Sequence, residues 1–95
     1  MNSLQNHYLQ YPLTLEKGEV VEVALDHAAN VQLLDEDNFQ NYQQGKPFRY
    51  RGGYAQKSPV QLDAPGPGKW HLVIDLGGGP GSVRAGVKVY PASMI

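Results

Sequence analysis

The chain predicts an all-β fold: an antiparallel β-sandwich or flattened barrel of about seven strands, with one short helix near residues 36–44. Three observations carry that expectation. Apolar residues recur at every second position in separate short runs: Val21, Val23 and Leu25, then Trp70, Leu72, Ile74 and Leu76, then Val83, Ala85, Val87 and Val89. A period of two sends alternate side chains to core and solvent. Eleven glycines and seven prolines supply the many turns that short strands require. One segment, residues 35–45, lacks both alternation and β-branched residues.

Each element can be justified in order. Residues 7–15 read as a first strand, broken at Pro12 because proline cannot donate to a ladder. Lys17-Gly18 is a turn. Residues 19–26 alternate cleanly, with Val21, Val23 and Leu25 on one face and Glu22 and Asp26 on the other, and residues 30–34 add a short strand. In the segment 35–45, Asp35 suits a helix N-cap and Glu36 and Asp37 suit the positive end of the helix dipole. Phe39 and Tyr42 lie three apart on one face, Gly45 fits the left-handed position after the helix, and Pro47 prevents continuation. So short a helix is marginal alone, so Phe39 must anchor it, with the helix lidding one end of the β-core.

Residues 48–54 and 58–63 are two further strands, and Pro59 marks the second as an edge. Pro65-Gly66-Pro67-Gly68 is a turn block. The last two strands are expected to close the domain as a hairpin across Gly77–Gly81. Their apolar sets occupy even numbers in one strand and odd numbers in the other, so paired numbers must have an odd sum. A sum of 159 sets Asp75 opposite Arg84 and Trp70 opposite Val89. The expected core comprises Leu15, Val21, Val23, Leu25, Val31, Leu33, Phe39, Val60, Leu62, Trp70, Leu72, Ile74, Val83, Val87 and Val89, with Trp70 the largest buried side chain.

Composition bounds the function. Apolar residues at 41% of 95 positions support one small core, hence a single β-domain over 1–95. The absence of cysteine excludes disulfides and cysteine-based zinc or thiol chemistry. Residues 1–8 have neither the basic start nor the apolar run of a signal peptide, and no run approaches the roughly 20 apolar residues that span a bilayer. A cytoplasmic protein without membrane association is the expectation. Residues 1–45 carry seven acidic side chains and one basic, a net −6, while residues 46–95 carry seven basic and two acidic, a net +5. Segregated in space, these halves would make a dipole that steers anions or favours self-association. A sandwich that interleaves its strands would mix them instead, which is the expected outcome.

The segment Lys46–Lys57 is the most chemical in appearance. Four cations (Lys46, Arg49, Arg51, Lys57) interleave with Phe48, Tyr50 and Tyr54 and with Gly52-Gly53. Guanidinium groups grip phosphate or carboxylate in two-pronged fashion, glycine admits close backbone approach, and cation–aromatic surfaces stack bases. The same pattern describes an amphipathic strand with Phe48 and Tyr50 inward and solvated Arg49 and Arg51 outward. Gly77–Gly81 is rich in glycine but lacks the Lys-Ser/Thr ending and following helix of a phosphate loop, so it is read as a turn. His7, His27 and His71 show no metal spacing. His71 and Asp75 share the outward face of a strand about 13 Å apart, too far for a dyad. Neither Ser58 nor Ser82 has a histidine near it in sequence.

The runs Asn30–Gly45, Tyr50-Arg51-Gly52-Gly53-Tyr54, Ser58-Pro59, Gly68–Asp75 and Gly81–Ala85 occur in an order that resembles DUF1883, a bacterial domain family of unknown function. The likeness extends from about Leu13 to Val89. It implies a small all-β domain, found alone or fused to TIR domains, which act in signalling or NAD-consuming defence. It carries no catalytic residues onto this chain.

The function expected from the sequence is therefore a non-catalytic binding or adaptor module. Its ligand face would use Arg49, Arg51 and Tyr54, with Asn38 and Tyr42 from the helix, and would suit an anionic or nucleotide-like small molecule or a protein partner. No cofactor or metal is expected. The alternative is a structural domain that forms homo-oligomers. A third reading, an enzyme on a nucleotide or sugar, would need a perturbed group such as His71 or Asp75 in a pocket.

Overall fold

The computed structural model describes residues 8–77 and 81–92, in which seven strands form two antiparallel sheets. The elements are β1 (Tyr8–Leu15), β2 (Val20–Leu25), β3 (Ala29–Asp35), α1 (Glu36–Gln43), β4 (Arg51–Ala55), β5 (Val60–Asp63), β6 (Gly68–Asp75) and β7 (Ala85–Tyr90). A four-stranded sheet runs β1-β6-β3-β4 and a three-stranded sheet runs β5-β2-β7. The expected all-β sandwich is the fold, without closure into a barrel. No helix of the described residues is long and apolar enough to cross a membrane.

The alternating runs build the layer between the sheets. Leu15, Val31, Leu33, Leu72 and Ile74 of the larger sheet meet Val21, Val23 and Leu62 of the smaller one, all buried. The second apolar layer lies outside. Leu34 and Val73, which point away from that core, are buried under Phe39 of α1, with Tyr8, Tyr42 and Phe48 at the margin. Thus α1 covers the outer face of β3 and β6 rather than lidding an end of the sandwich. Its caps are as expected: Asp35 accepts the Asn38 N–H at 2.9 Å, and Gly45 follows with φ +73°. A strand buried on both faces must read as a continuous apolar run. This explains Leu72-Val73-Ile74, and in part Leu33-Leu34.

Strand pairing overturns the expected closing hairpin. Strand β6 is central, with β1 paired along one edge (Leu9↔Ile74, Leu13↔Trp70) and β3 along the other (Val31↔Ile74, Asp35↔Trp70). No edge remains for β7, which crosses to the other sheet and pairs with β2 (Val21↔Val89, Val23↔Val87). Asp75 therefore does not face Arg84, nor Trp70 Val89. The Arg84 N–H instead donates to Asp26 at 2.7 Å. Of the joining turn, residues 78–80 lie outside the described residues.

Other expectations need smaller corrections. Strand β1 runs through Pro12 unbroken, because it is an edge strand where a missing N–H can face water. Strand β5, after Pro59, is an edge as expected. Residues 48–50 are irregular and only Arg51–Ala55 pair, so Phe48 and Tyr50 are not inward residues of a strand. Val89 is 40% exposed. Trp70 is only partly buried, and the largest fully buried side chains are leucines and isoleucine. Sequence halves mix as expected: each sheet draws strands from both, and Glu22 stands opposite Lys88.

Candidate functional site

Where β3 hands over to α1, the chain builds a groove. Leu33 and Asp35 come from the end of β3, Asn38 from the first turn of α1, Arg49 and Tyr50 from the irregular segment after it, and Arg51 from the start of β4. Pro65 and Trp70 close the other wall, and the space holds about 560 Å³. That volume lies within the range of small-molecule sites.

Local chemistry fixes the groove's shape. Asp35 Oδ1 accepts both the backbone N–H and the side-chain amide of Asn38, each at 2.9 Å. Asn38 Oδ1 in turn accepts the Arg49 N–H at 2.7 Å. One cap residue therefore pins the segment that carries Arg49 and Tyr50 to the helix start. Trp70 donates its indole N–H to the Gly66 carbonyl at 3.0 Å, which orients the ring beside the turn block. Tyr50 is 49% exposed, and its ring tilts against that of Phe48 at 5.5 Å.

The two arginines differ in state. Arg51 donates from Nη2 to both carboxylate oxygens of Asp63, at 3.1 and 2.9 Å, and from Nε to the Asp63 carbonyl at 3.3 Å. Hydrogen bonding from Arg51 holds the Asp63 carboxyl below its usual range. The Arg49 guanidinium has no acidic partner within ion-pair distance among the described residues. The groove thus offers one uncommitted fork of donors beside two aromatic rings.

Of the five residues singled out from sequence, Arg49, Arg51 and Asn38 line this groove, and Asn38 acts there as a brace. Tyr42 and Tyr54 lie elsewhere. Tyr54 sits opposite Asn30 and is 65% exposed. Tyr42 donates its hydroxyl to Asp75 Oδ2 at 2.7 Å, while Asp75 Oδ1 accepts from Asn30 at 2.8 Å and from the Gly77 N–H at 2.9 Å. Burial, then that carboxylate, push the Tyr42 hydroxyl far above its ordinary value. Tyr42 therefore stays a neutral donor. Sequence reasoning leaves Tyr50 and Trp70 out of the ligand face, because alternation places Trp70 in the core and Tyr50 beside Phe48 on the inward face of a strand.

His71 and Asp75 remain apart, as their spacing requires. The His71 ring stacks on Phe39 at 4.1 Å and lies between Gln10, 2.7 Å from Nδ1, and Glu36, 2.7 Å from Nε2. The Gln10 amide donates to one ring nitrogen, and the other donates to the Glu36 carboxylate. The hydrogen bond from His71 lowers the Glu36 carboxyl, with Gln40 and Lys69 adding and desolvation opposing. A lowered carboxyl stabilises the fold fully above its unfolded value near 4.5, and that stability is lost as pH falls through the lower folded value. Asp26, lowered chiefly by the Arg84 N–H, and Asp63 act with the same sign at lower pH, from their ordinary value of 3.8 downward. The melting temperature of wild type should fall more steeply below pH 4.5 than that of Glu36→Gln. Equal slopes would show that the contact adds nothing to acid stability.

Three smaller spaces lie on the described surface, and one of about 330 Å³ places His71 beside Glu36, Lys69 and Trp70, at the low end of the range for a ligand site. Another, of about 250 Å³, lies among Tyr8, Leu9, Ile74, Asp75, Leu76 and Ser82, below the usual size of a ligand site. The third, of about 130 Å³, brings together Asp26, His27 and Ser58. There Asp26 lies 3.1 Å from His27 Nδ1, but Ser58 Oγ accepts the Leu25 N–H and shares no hydrogen bond with the imidazole. Among the described residues no three His, Cys, Asp or Glu side chains cluster as metal ligands.

The model of a family described as a domain of unknown function, DUF1883, matches residues 6–93. No curated protein and no solved structure matches the chain.

Proposed function

The chain belongs to the DUF1883 family, and we propose that it is a non-catalytic binding module whose groove takes an anionic, nucleotide-like ligand. The observation that carries this reading is the uncommitted Arg49 guanidinium set in a 560 Å³ groove beside Tyr50 and Trp70. A fork of N–H donors suits a phosphate, and the two aromatic faces suit a base or other planar ring. Asp35 in the same groove, its Oδ1 taken by Asn38, disfavours negative charge at the helix side and directs the anionic group toward the arginines. An adaptor of this kind fits the TIR-linked setting that the family resemblance implies.

Thermal-shift screening against nucleotides, sugar phosphates and short single strands tests the reading. Ligands that raise the melting temperature of wild type should lose most of their effect on Arg49→Ala, since a charge-assisted hydrogen bond is worth about 1.5–3 kcal/mol. Hits that survive Arg49→Ala unchanged would put the binding face elsewhere.

A further inference from the structure

We infer that Arg51 is a second anion-binding residue of this groove, held in reserve by Asp63 until a phosphate dianion displaces that carboxylate. The inference rests on the binding reading above and extends it to the chemical class of the ligand.

Arg51 lines the same groove as Arg49, two residues away, and its Cα is fixed at the start of β4 opposite Leu33. Its guanidinium uses Nε and Nη2 on Asp63, and Nη1 has no partner among the described residues. Asp63 belongs to β5 of the other sheet, where it pairs with Val20. The ion pair therefore spans the two sheets at the groove's rim, with 47% of the Arg51 and 57% of the Asp63 side chain exposed. An ion pair in such a place is weak, because water competes for both charges. It is a latch that a stronger anion can open.

The latch also selects. A ligand carboxylate brings one negative charge and two oxygens, no more than Asp63 already supplies, so exchange gains little. A phosphate monoester near neutral pH brings close to two charges and three strong acceptor oxygens, enough to engage Arg49 and Arg51 together. Displaced Asp63 returns to water without burial cost, since most of it is already solvated. Once Arg51 has turned, the groove holds two guanidinium groups around one phosphate.

Titration of wild type, Asp63→Asn, Arg51→Gln, Arg49→Ala and the double variant Asp63→Asn/Arg51→Gln with adenosine 5′-monophosphate tests this. Asp63→Asn keeps the side chain's shape and removes the competing charge, so its Kd should tighten about 2- to 5-fold. The gain should vanish in the double variant. Arg51→Gln alone should weaken binding. An unchanged Kd in Asp63→Asn, with wild-type binding that still depends on Arg49, would overturn this inference and leave the groove reading standing. Absence of binding in wild type and Asp63→Asn alike would overturn both.

Discussion

Phe39→Ala is expected to destabilise the domain by about 3–5 kcal/mol, the cost of emptying a well-packed aromatic site. Phe39 is the one buried residue of α1, and its ring stacks on His71 at 4.1 Å and meets Tyr8 edge-on at 6.4 Å. Beneath it lie Leu34 and Val73, fully buried on the outer face of the sheet. A helix of eight residues does not persist in water by propensity alone, so removing its anchor releases it. The stability of a small domain is of the same order as this loss, and the urea midpoint should fall accordingly. The effect extends to the groove, because Asn38 on the same helix braces Arg49. A variant that kept the wild-type midpoint would refute the assignment of α1 as a buried outer layer.

Gly52→Ala is expected to cost about 3 kcal/mol or more, at the top of the range for a strained backbone. At φ +115° an added Cβ would run into the Val31 carbonyl oxygen and lie 3.2 Å from Leu62 Cδ1. The obstacle is main chain of the neighbouring strand, which cannot step aside without breaking the β3–β4 ladder. Gly45 provides the comparison: it is also left-handed, at φ +73°, but nothing lies within 4 Å of its Cβ position. Gly45→Ala should cost only about 1 kcal/mol. Hydrogen exchange reads the difference directly, because Gly52→Ala should expose the amides of β4 while Gly45→Ala leaves them protected. Equal protection in the two variants would contradict the close approach at Gly52.

The parts of this fold that were legible in the sequence are those governed by local rules. Alternation at Val21, Val23, Leu72 and Ile74 marked the inner faces, and Asp35 with Gly45 marked the ends of α1. Strand partners were not legible, because pairing depends on which edges remain free in three dimensions. The closing hairpin was inferred from the proximity of 70–76 and 83–89 in sequence. Leu72-Val73-Ile74 carries a separate signal: three consecutive apolar residues do not belong to a strand with one wet face. Taken with Leu34 and Phe39, that run points to a second apolar layer.

The groove was half legible for a similar reason. Charge pattern singled out Arg49 and Arg51, since cations on a β-domain are surface residues whatever the topology. Trp70 falls in step with the apolar positions of its strand and so reads as core, and Tyr50 falls in step with Phe48 and so reads as inward. Trp70 does face inward with Leu72, but it stands at the rim, where β6 meets the turn block, so part of its ring lines the groove. Tyr42 and Tyr54 were included through sequence proximity alone. Tyr42 reaches from the far end of α1 to Asp75, and Tyr54 lies opposite Asn30 near the end of β4, both away from the groove.

Trp70 is the chain's single tryptophan, so its indole N–H resonance reports on the groove without interference. The most direct test of the binding account is to follow that resonance while titrating adenosine 5′-monophosphate into wild type and Arg49→Ala. The account predicts a saturable shift in wild type that is lost, or displaced to much higher concentration, in Arg49→Ala. Saturable binding that leaves the Trp70 resonance unmoved, or that persists undiminished without Arg49, would contradict it.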